Sequence, residues 1–132
     1  MNFIGFLLNE MYIAYVLDKK SRKLLAEKFP PKYPEFVGHH ITLNFGVSPD
    51  VQLPANAKSI KVVGYADDGK GLEALVVEVN GRIQRPDGSI YHITWSLDRS
   101  LGRKPVQSKS LVQSGYTKVD PITIHTNVEL LK

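Results

Sequence analysis

The 132-residue chain contains no cysteine, which excludes a disulfide scaffold, a thiolate-held zinc or iron–sulfur site and a cysteine nucleophile together. Long apolar runs are missing too. The most apolar stretch, Met1 to Leu17, is interrupted by Asn9 and Glu10, has no Lys or Arg ahead of it and no small-residue cleavage site behind it. It therefore reads as neither a secretory signal nor a segment with the roughly 20 apolar residues that a bilayer requires. A cytoplasmic protein without a membrane partner is expected. No charge sign dominates: 17 Lys and Arg face 13 Asp and Glu, a net charge of +4. That mild excess favours phosphate-bearing partners by general attraction.

Hydrophobic residues at 42% and charged residues at 23% describe a folded chain rather than a disordered or fibrous one. Its length suits one domain, residues 1–132, and is too short for two. Tyr12 to Asp18 is rich in Tyr, Ile and Val and reads as a strand; Ser21 to Phe29 then carries Leu24, Leu25 and Phe29 at helical spacing. Arg22, Lys23, Glu27 and Lys28 fall on that helix's solvent side, and Pro30 and Pro31 end it. After a loop, Pro30 to Gly38, the strand His39 to Val47 alternates Ile41, Leu43 and Phe45 against His40, Thr42 and Asn44.

Ser48 to Ala57 is a connection with two prolines, and Ser59 to Ala66 and Leu72 to Val79 form a hairpin around Asp67 to Gly71. This turn is not a phosphate-cradling P-loop, because its glycines are too close and no Ser or Thr follows the lysine. Asn80-Gly81 and Pro86-Asp87-Gly88 mark further turns. Ser89 to Leu97 then alternates Tyr91, Ile93, Trp95 and Leu97 against His92, Thr94 and Ser96, and Trp95 reads as core rather than as a stacking platform. From Asp98 to Lys118 the pattern is largely irregular, with at most one short helix around Ser108 to Gln113, and Pro121 to Leu131 returns as a closing strand.

The chemistry-bearing signal is a repeated tripeptide. His40-Ile41-Thr42 and His92-Ile93-Thr94 each lie in a strand with His and Thr on the face opposite the apolar one. Two residues along a strand span about 7 Å, so two such strands side by side surround one small anion with two imidazoles and two hydroxyls. Imidazoles titrating near neutrality can divide the work: one takes a proton from water, the other gives one to a leaving alkoxide. The hydroxyls donate to the non-bridging phosphate oxygens. No metal or cofactor is called for. A zinc site from His39, His40 and His92 is disfavoured because neighbours in a strand point to opposite faces, and His39 is expected to pack away from the pair.

The two H-x-T motifs, His39-His40-Ile41-Thr42-Leu43 and Tyr91-His92-Ile93-Thr94-Trp95, resemble those of the 2H phosphoesterase superfamily, which includes the bacterial LigT-like RNA ligases and cyclic phosphodiesterases. The resemblance runs over about residues 12 to 131. It implies an α+β fold that is bilobal, with pseudo-twofold antiparallel sheets around a central cleft and few helices, and an enzyme that cleaves phosphodiesters without metal. By this resemblance His40 and His92 are the acid/base pair, and Thr42 and Thr94 the catalytic donors to phosphate. The substrates implied are 2′,3′-cyclic phosphates, 2′,5′-linked oligonucleotides, ADP-ribose cyclic phosphate and cyclic dinucleotide signals, so the partner is a nucleotide or RNA terminus. The chain is short for the family and its second lobe lacks a long helix. Arg103 and Lys104 are candidates for holding phosphate charge, and Tyr33 for stacking on a base. A monomer with no obligatory protein partner is expected. The alternatives are a non-catalytic RNA- or nucleotide-binding module and a 2′-5′ RNA ligase using the same site.

Overall fold

Strand β1 (Tyr12–Leu17) is built from β-branched and aromatic residues, but Asp18 leaves it. Its carboxylate accepts a hydrogen bond from the Ser21 amide at 2.7 Å and caps helix α1 (Lys19–Lys28), which therefore starts earlier than apolar spacing alone indicates. The computed structural model describes residues 10–132; the part of the Met1–Leu17 stretch before Glu10 lies outside the described residues. Among the described residues no helix is long and apolar enough to cross a membrane.

The remaining elements are β2 (Glu35–Phe36), β3 (His40–Phe45), β4 (Ile60–Asp67), β5 (Leu72–Val79), β6 (His92–Leu97), α2 (Ser108–Gln113), β7 (Thr117–Ile124) and β8 (Thr126–Leu131). They make a mixed α/β fold of two antiparallel sheets: a 3-stranded sheet in the order β3-β1-β8 and a 5-stranded sheet in the order β2-β6-β5-β4-β7. One apolar cluster joins them, receiving Tyr15, Leu17 and Ile41 from the small sheet, Val62, Leu75, Val77, Ile93 and Trp95 from the large one, and Leu25 from α1. A second cluster, Ala66, Ala74, Val76 and Val112, seats α2 on the large sheet's other face. Strand β5 is therefore buried on both sides, which explains its nearly unbroken apolar sequence.

Three readings of the pattern are corrected. Pro121 to Leu131 is not one strand: β7 pairs with β4 in the large sheet and β8 with β1 in the small one, and the chain changes sheets at His125. Pro121 has no amide to donate and sits where the β4–β7 register slips. Leu24 is 38% and Phe45 65% exposed, neither in the core. Phe45 is displaced by a bulge. Thr42 pairs with Ala14 but Asn44 with Ile13, so Leu43 is the extra residue and the alternation beyond it is inverted. Arg22, read as a solvent-side residue, turns inward instead, as described below.

The loop after α1 is fixed by a buried carboxylate. Glu73, 1% exposed, accepts from the Lys32 amide at 2.8 Å and from the hydroxyls of Ser96 and Tyr65. This polar knot lies where β5 and β6 would otherwise be wholly apolar, and it anchors the chain that leads into β2.

Candidate active site

Strand pairing brings the two H-x-T segments together. Glu35 lies opposite Leu97 and Phe36 opposite Ser96, and the Val37 and Gly38 amides extend the ladder by donating to the Trp95 and Thr94 carbonyls at 2.9 and 3.0 Å. The ladder ends at Gly38, two residues before His40, which is near enough to His92 to feel its charge. There the chain leaves β6 and crosses to the small sheet, where the Leu17 amide donates to the His39 carbonyl at 3.0 Å and His40 pairs with Val16. His40 thus belongs to one sheet while lying close to β6 of the other.

The crossover depends on Gly38. Its φ of +44° lies in the left-handed region, and a Cβ there would stand 2.4 Å from Phe36 Cε1 and 2.9 Å from Trp95 Cζ3. Helix α1 supports it through Arg22, whose guanidinium lies 3.9 Å from the Phe36 ring centre and donates to the carbonyls of Gly38 and Val37 at 3.0 and 3.2 Å. Sequence periodicity missed this role because a long cationic side chain on a helix flank looks the same whether it meets water or a buried turn.

The two imidazoles are held differently. His92 Nδ1 lies 2.8 Å from the Ile90 carbonyl. A carbonyl only accepts, so Nδ1 carries the hydrogen and the neutral ring presents the Nε2 lone pair. His40 Nδ1 instead lies 3.0 Å from His39 Nδ1, with the rings nearly perpendicular. His39 is therefore not packed away: it is exposed, precedes the strand that begins at His40, and turns its ring toward that of His40. Burial, with the neighbouring charges of His39 and His92, pushes His40 down to about 4. His92 is also lowered, by burial and by Arg85 and Lys109, against the raising effect of the Ile90 carbonyl and Asp87. Both rings are neutral bases at neutral pH, each within reach of the other's field.

Thr42 is half-buried on the same strand as His40, and Thr94 on the same strand as His92. The Thr94 hydroxyl donates to Ser108 Oγ at 2.9 Å, at the start of α2. Tyr33 and Arg103 lie elsewhere. The Tyr33 amide donates to Ser96 Oγ and its hydroxyl to Asp67 Oδ1 at 2.7 Å, and Ser96 is about 13 Å along β6 from His92 at the usual rise per residue. Arg103 pairs with Asp68 Oδ2 at 3.0 Å and donates to the Lys70 carbonyl, so its charge is spent on the β4–β5 turn at that same far end. Lys104 is exposed and precedes Pro105, whose carbonyl lies 3.4 Å from the Thr94 hydroxyl, which puts it nearer the imidazoles than Arg103.

Other side chains around the pair escaped the pattern. The bulge at Leu43 puts Phe45 against Tyr12, ring centres 5.9 Å apart, and Tyr12 in turn lies 5.3 Å from the His40 ring. Together they form an aromatic shelf leading away from His40. Arg85 and Lys109 supply positive charge near His92; Arg85 pairs with Asp87 at 3.0 Å, which holds that carboxyl well below the usual range. Beside this end of β6, a recess of about 640 Å³ is lined by Arg82, Ile83, Gln84, Arg85, Pro86, Gly88 and Tyr91. Nothing in the single-letter pattern marks these cations, since their proximity to His92 is created by a turn and by the seating of α2.

No family model, curated protein or solved structure matches this chain. Among the described residues no group of three or more His, Asp or Glu side chains is arranged as a metal would need, whereas two lone-pair-bearing imidazoles beside hydroxyls and cations suit an anion that exchanges protons.

Proposed function

We propose that the protein is a phosphodiesterase of the 2H type, hydrolysing a cyclic or 2′-linked nucleotide or RNA phosphodiester with His40 and His92 as its acid/base pair and no need for a metal ion. The two sheets then correspond to the two lobes of a LigT-like fold, with the cleft along the line where β3 leaves β6. One observation carries the reading: two His-x-Thr strands from different sheets are brought to a common edge by a continuous ladder from Glu35 to Gly38. Thr42 and Thr94 stand beside the rings as donors to non-bridging oxygens, Thr94 after exchanging its bond to Ser108.

The phosphate takes its place between the rings, where the charge of Lys109 favours an anion, that of Arg85 being paired with Asp87. The shelf of Tyr12 and Phe45 offers a flat apolar surface for the attached base. Tyr33 and Arg103 are too far along β6 to share that phosphate and are assigned no contact with it.

The experiment is turnover of 2′,3′-cyclic nucleotides, 2′,5′-linked dinucleotides and cyclic dinucleotides by the purified protein with chelator present. Product from at least one of them, lost in His40→Ala and His92→Ala, is the expected result. Binding without any product would make the domain a nucleotide-binding module, and a strict requirement for added divalent metal would overturn the two-imidazole scheme.

A further inference from the structure

The bond between His39 and His40 has no counterpart at His92, and it answers a difficulty in the proposed chemistry. An acid must hold a proton at working pH. A ring with a pKa of about 4 is protonated in only about one molecule in a thousand at pH 7, and a neutral imidazole that simply gave up its Nε2 hydrogen would be left as an anion. His39 is exposed, in contact with water that can supply protons, and its Nδ1 sits 3.0 Å from that of His40.

We propose that His39 is a positioning residue that supplies His40 with the proton delivered to the leaving oxygen, so that the buried ring passes a proton through without becoming charged. This deepens the phosphodiesterase reading and rests on it. The relay starts when His39 takes a proton from water and donates its Nδ1 hydrogen to His40 Nδ1, with His40 neutral and its hydrogen on Nε2. Water attacks phosphorus and loses a proton to His92 Nε2. The new P–O bond forms as the bond to the leaving oxygen breaks, and its electron pair goes to that oxygen. The leaving oxygen takes the Nε2 hydrogen of His40 while His40 Nδ1 takes the Nδ1 hydrogen of His39. His39 ends neutral, His40 ends neutral as the other tautomer, and His92 ends protonated. Exchange with water restores all three.

The groups facing this relay are Tyr12 of β1 beside His40, His92 of β6, and Arg85, Asp87 and Lys109 around His92. Behind the crossover are Asp18, engaged with the Ser21 amide, and Arg22, engaged with the Val37 and Gly38 carbonyls. None of these is placed between His39 and His40, so the proton path is direct.

Two readouts test it. Nitrogen-15 NMR of the imidazoles in the ligand-free protein at pH 7 is expected to show His40 hydrogenated at Nε2 and His92 at Nδ1; a His40 hydrogenated at Nδ1 overturns the relay. In kinetics with a 2′,3′-cyclic nucleotide, His39→Ala and His39→Gln are expected to lower kcat by about 10- to 100-fold with little change in KM and to alter the alkaline limb of the pH profile. Glutamine can hold the hydrogen bond but cannot pass a proton. Added imidazole should restore the rate of His39→Ala, and a p-nitrophenyl phosphodiester, whose leaving group needs no proton, should show a deficit of less than about threefold. Wild-type kcat with an unchanged pH profile in His39→Gln overturns the proposal. Should the wild-type protein turn over no phosphodiester at all, the functional reading fails by itself, and the NMR still decides the relay: a His40 tautomer that changes in His39→Ala supports it, an unchanged one overturns it.

Discussion

His40-Ile41-Thr42 and His92-Ile93-Thr94 are the same three residues in the same kind of strand, yet the fold treats them differently. The second is enclosed: its ring is pinned by the Ile90 carbonyl, its threonine by Ser108, and α2 is seated on the same sheet. The first stands at an edge, its ring bonded to another imidazole and backed by Tyr12, and among the described residues its threonine hydroxyl has no side-chain hydrogen bond. A carbonyl can hold a ring in only one tautomer, whereas a second imidazole can hold it in either. Identical sequence therefore delivers identical functional groups, and the neighbours decide how each ring is held.

The strongest way to break the comparison is to remove the rings. His40→Ala and His92→Ala are each expected to lower kcat by about 10²- to 10⁴-fold while the domain stays folded, as circular dichroism would report. Equal loss from both is the expected outcome for a pair that acts as a unit, and full activity in either ends its assignment. Next comes the crossover that joins the two strands. Gly38→Ala forces a Cβ into Phe36 and Trp95 at a left-handed φ, and a cost of about 2–4 kcal/mol, read from urea midpoints, is expected.

Acid separates the rings from their charges. Both histidines have folded-state pKa values below their unfolded ones, His40 at about 4. Above pH 6.5 neither state binds the extra proton and there is no effect. As pH falls from about 6.5 to 4 the unfolded chain takes up protons that the folded one refuses, so stability falls through that window and levels off below it. A loss of roughly 2–3 kcal/mol between pH 7 and pH 4 is expected from His40, smaller in His40→Asn, with thermal melts as the measurement.

The threonines give a smaller and more selective contrast. Thr94→Ala leaves the buried Ser108 hydroxyl without its donor and is expected to cost about 1 kcal/mol of stability as well as activity. Thr42→Ala is expected to lower activity with stability nearly unchanged. Smallest is the shelf: Phe45→Ala is expected to raise KM by about 3- to 10-fold with kcat unchanged, the loss of one stacked face, while Arg103→Ala alters neither.

Strands β1, β3, β4, β5 and β6, helix α1 and the glycine turn between β4 and β5 were legible because each is a local pattern with its own period, whereas β2, two residues long, was read as part of a loop. Ser108–Gln113 was readable from composition and spacing, and the even-numbered face of β6 carried its histidine and threonine away from the core. What escaped were the places where the chain changes partners. The bulge at Leu43 inverted the burial of Phe45, the break at His125 split one expected strand between two sheets, and the turn at Gly38 took the chain from β6 to the small sheet. Each is a decision made by a neighbouring strand, and alternation along a single segment carries no record of it. Tyr33 and Arg103 are side chains of the right type at the wrong end of β6, a distance that only pairing sets.

By itself the sequence determined which side chains are present, where the longer strands β1, β3, β4, β5 and β6 lie, and that His and Thr share one face in each repeated tripeptide, since these follow from residue type and a period of two. The tertiary structure alone decided that the two polar faces share one edge, that one histidine is held by a carbonyl and the other by a third imidazole, and which cations stand nearby. Those are contacts between residues far apart in the chain, settled by which sheet edge each segment pairs with and by the glycine that lets the chain pass from one sheet to the other.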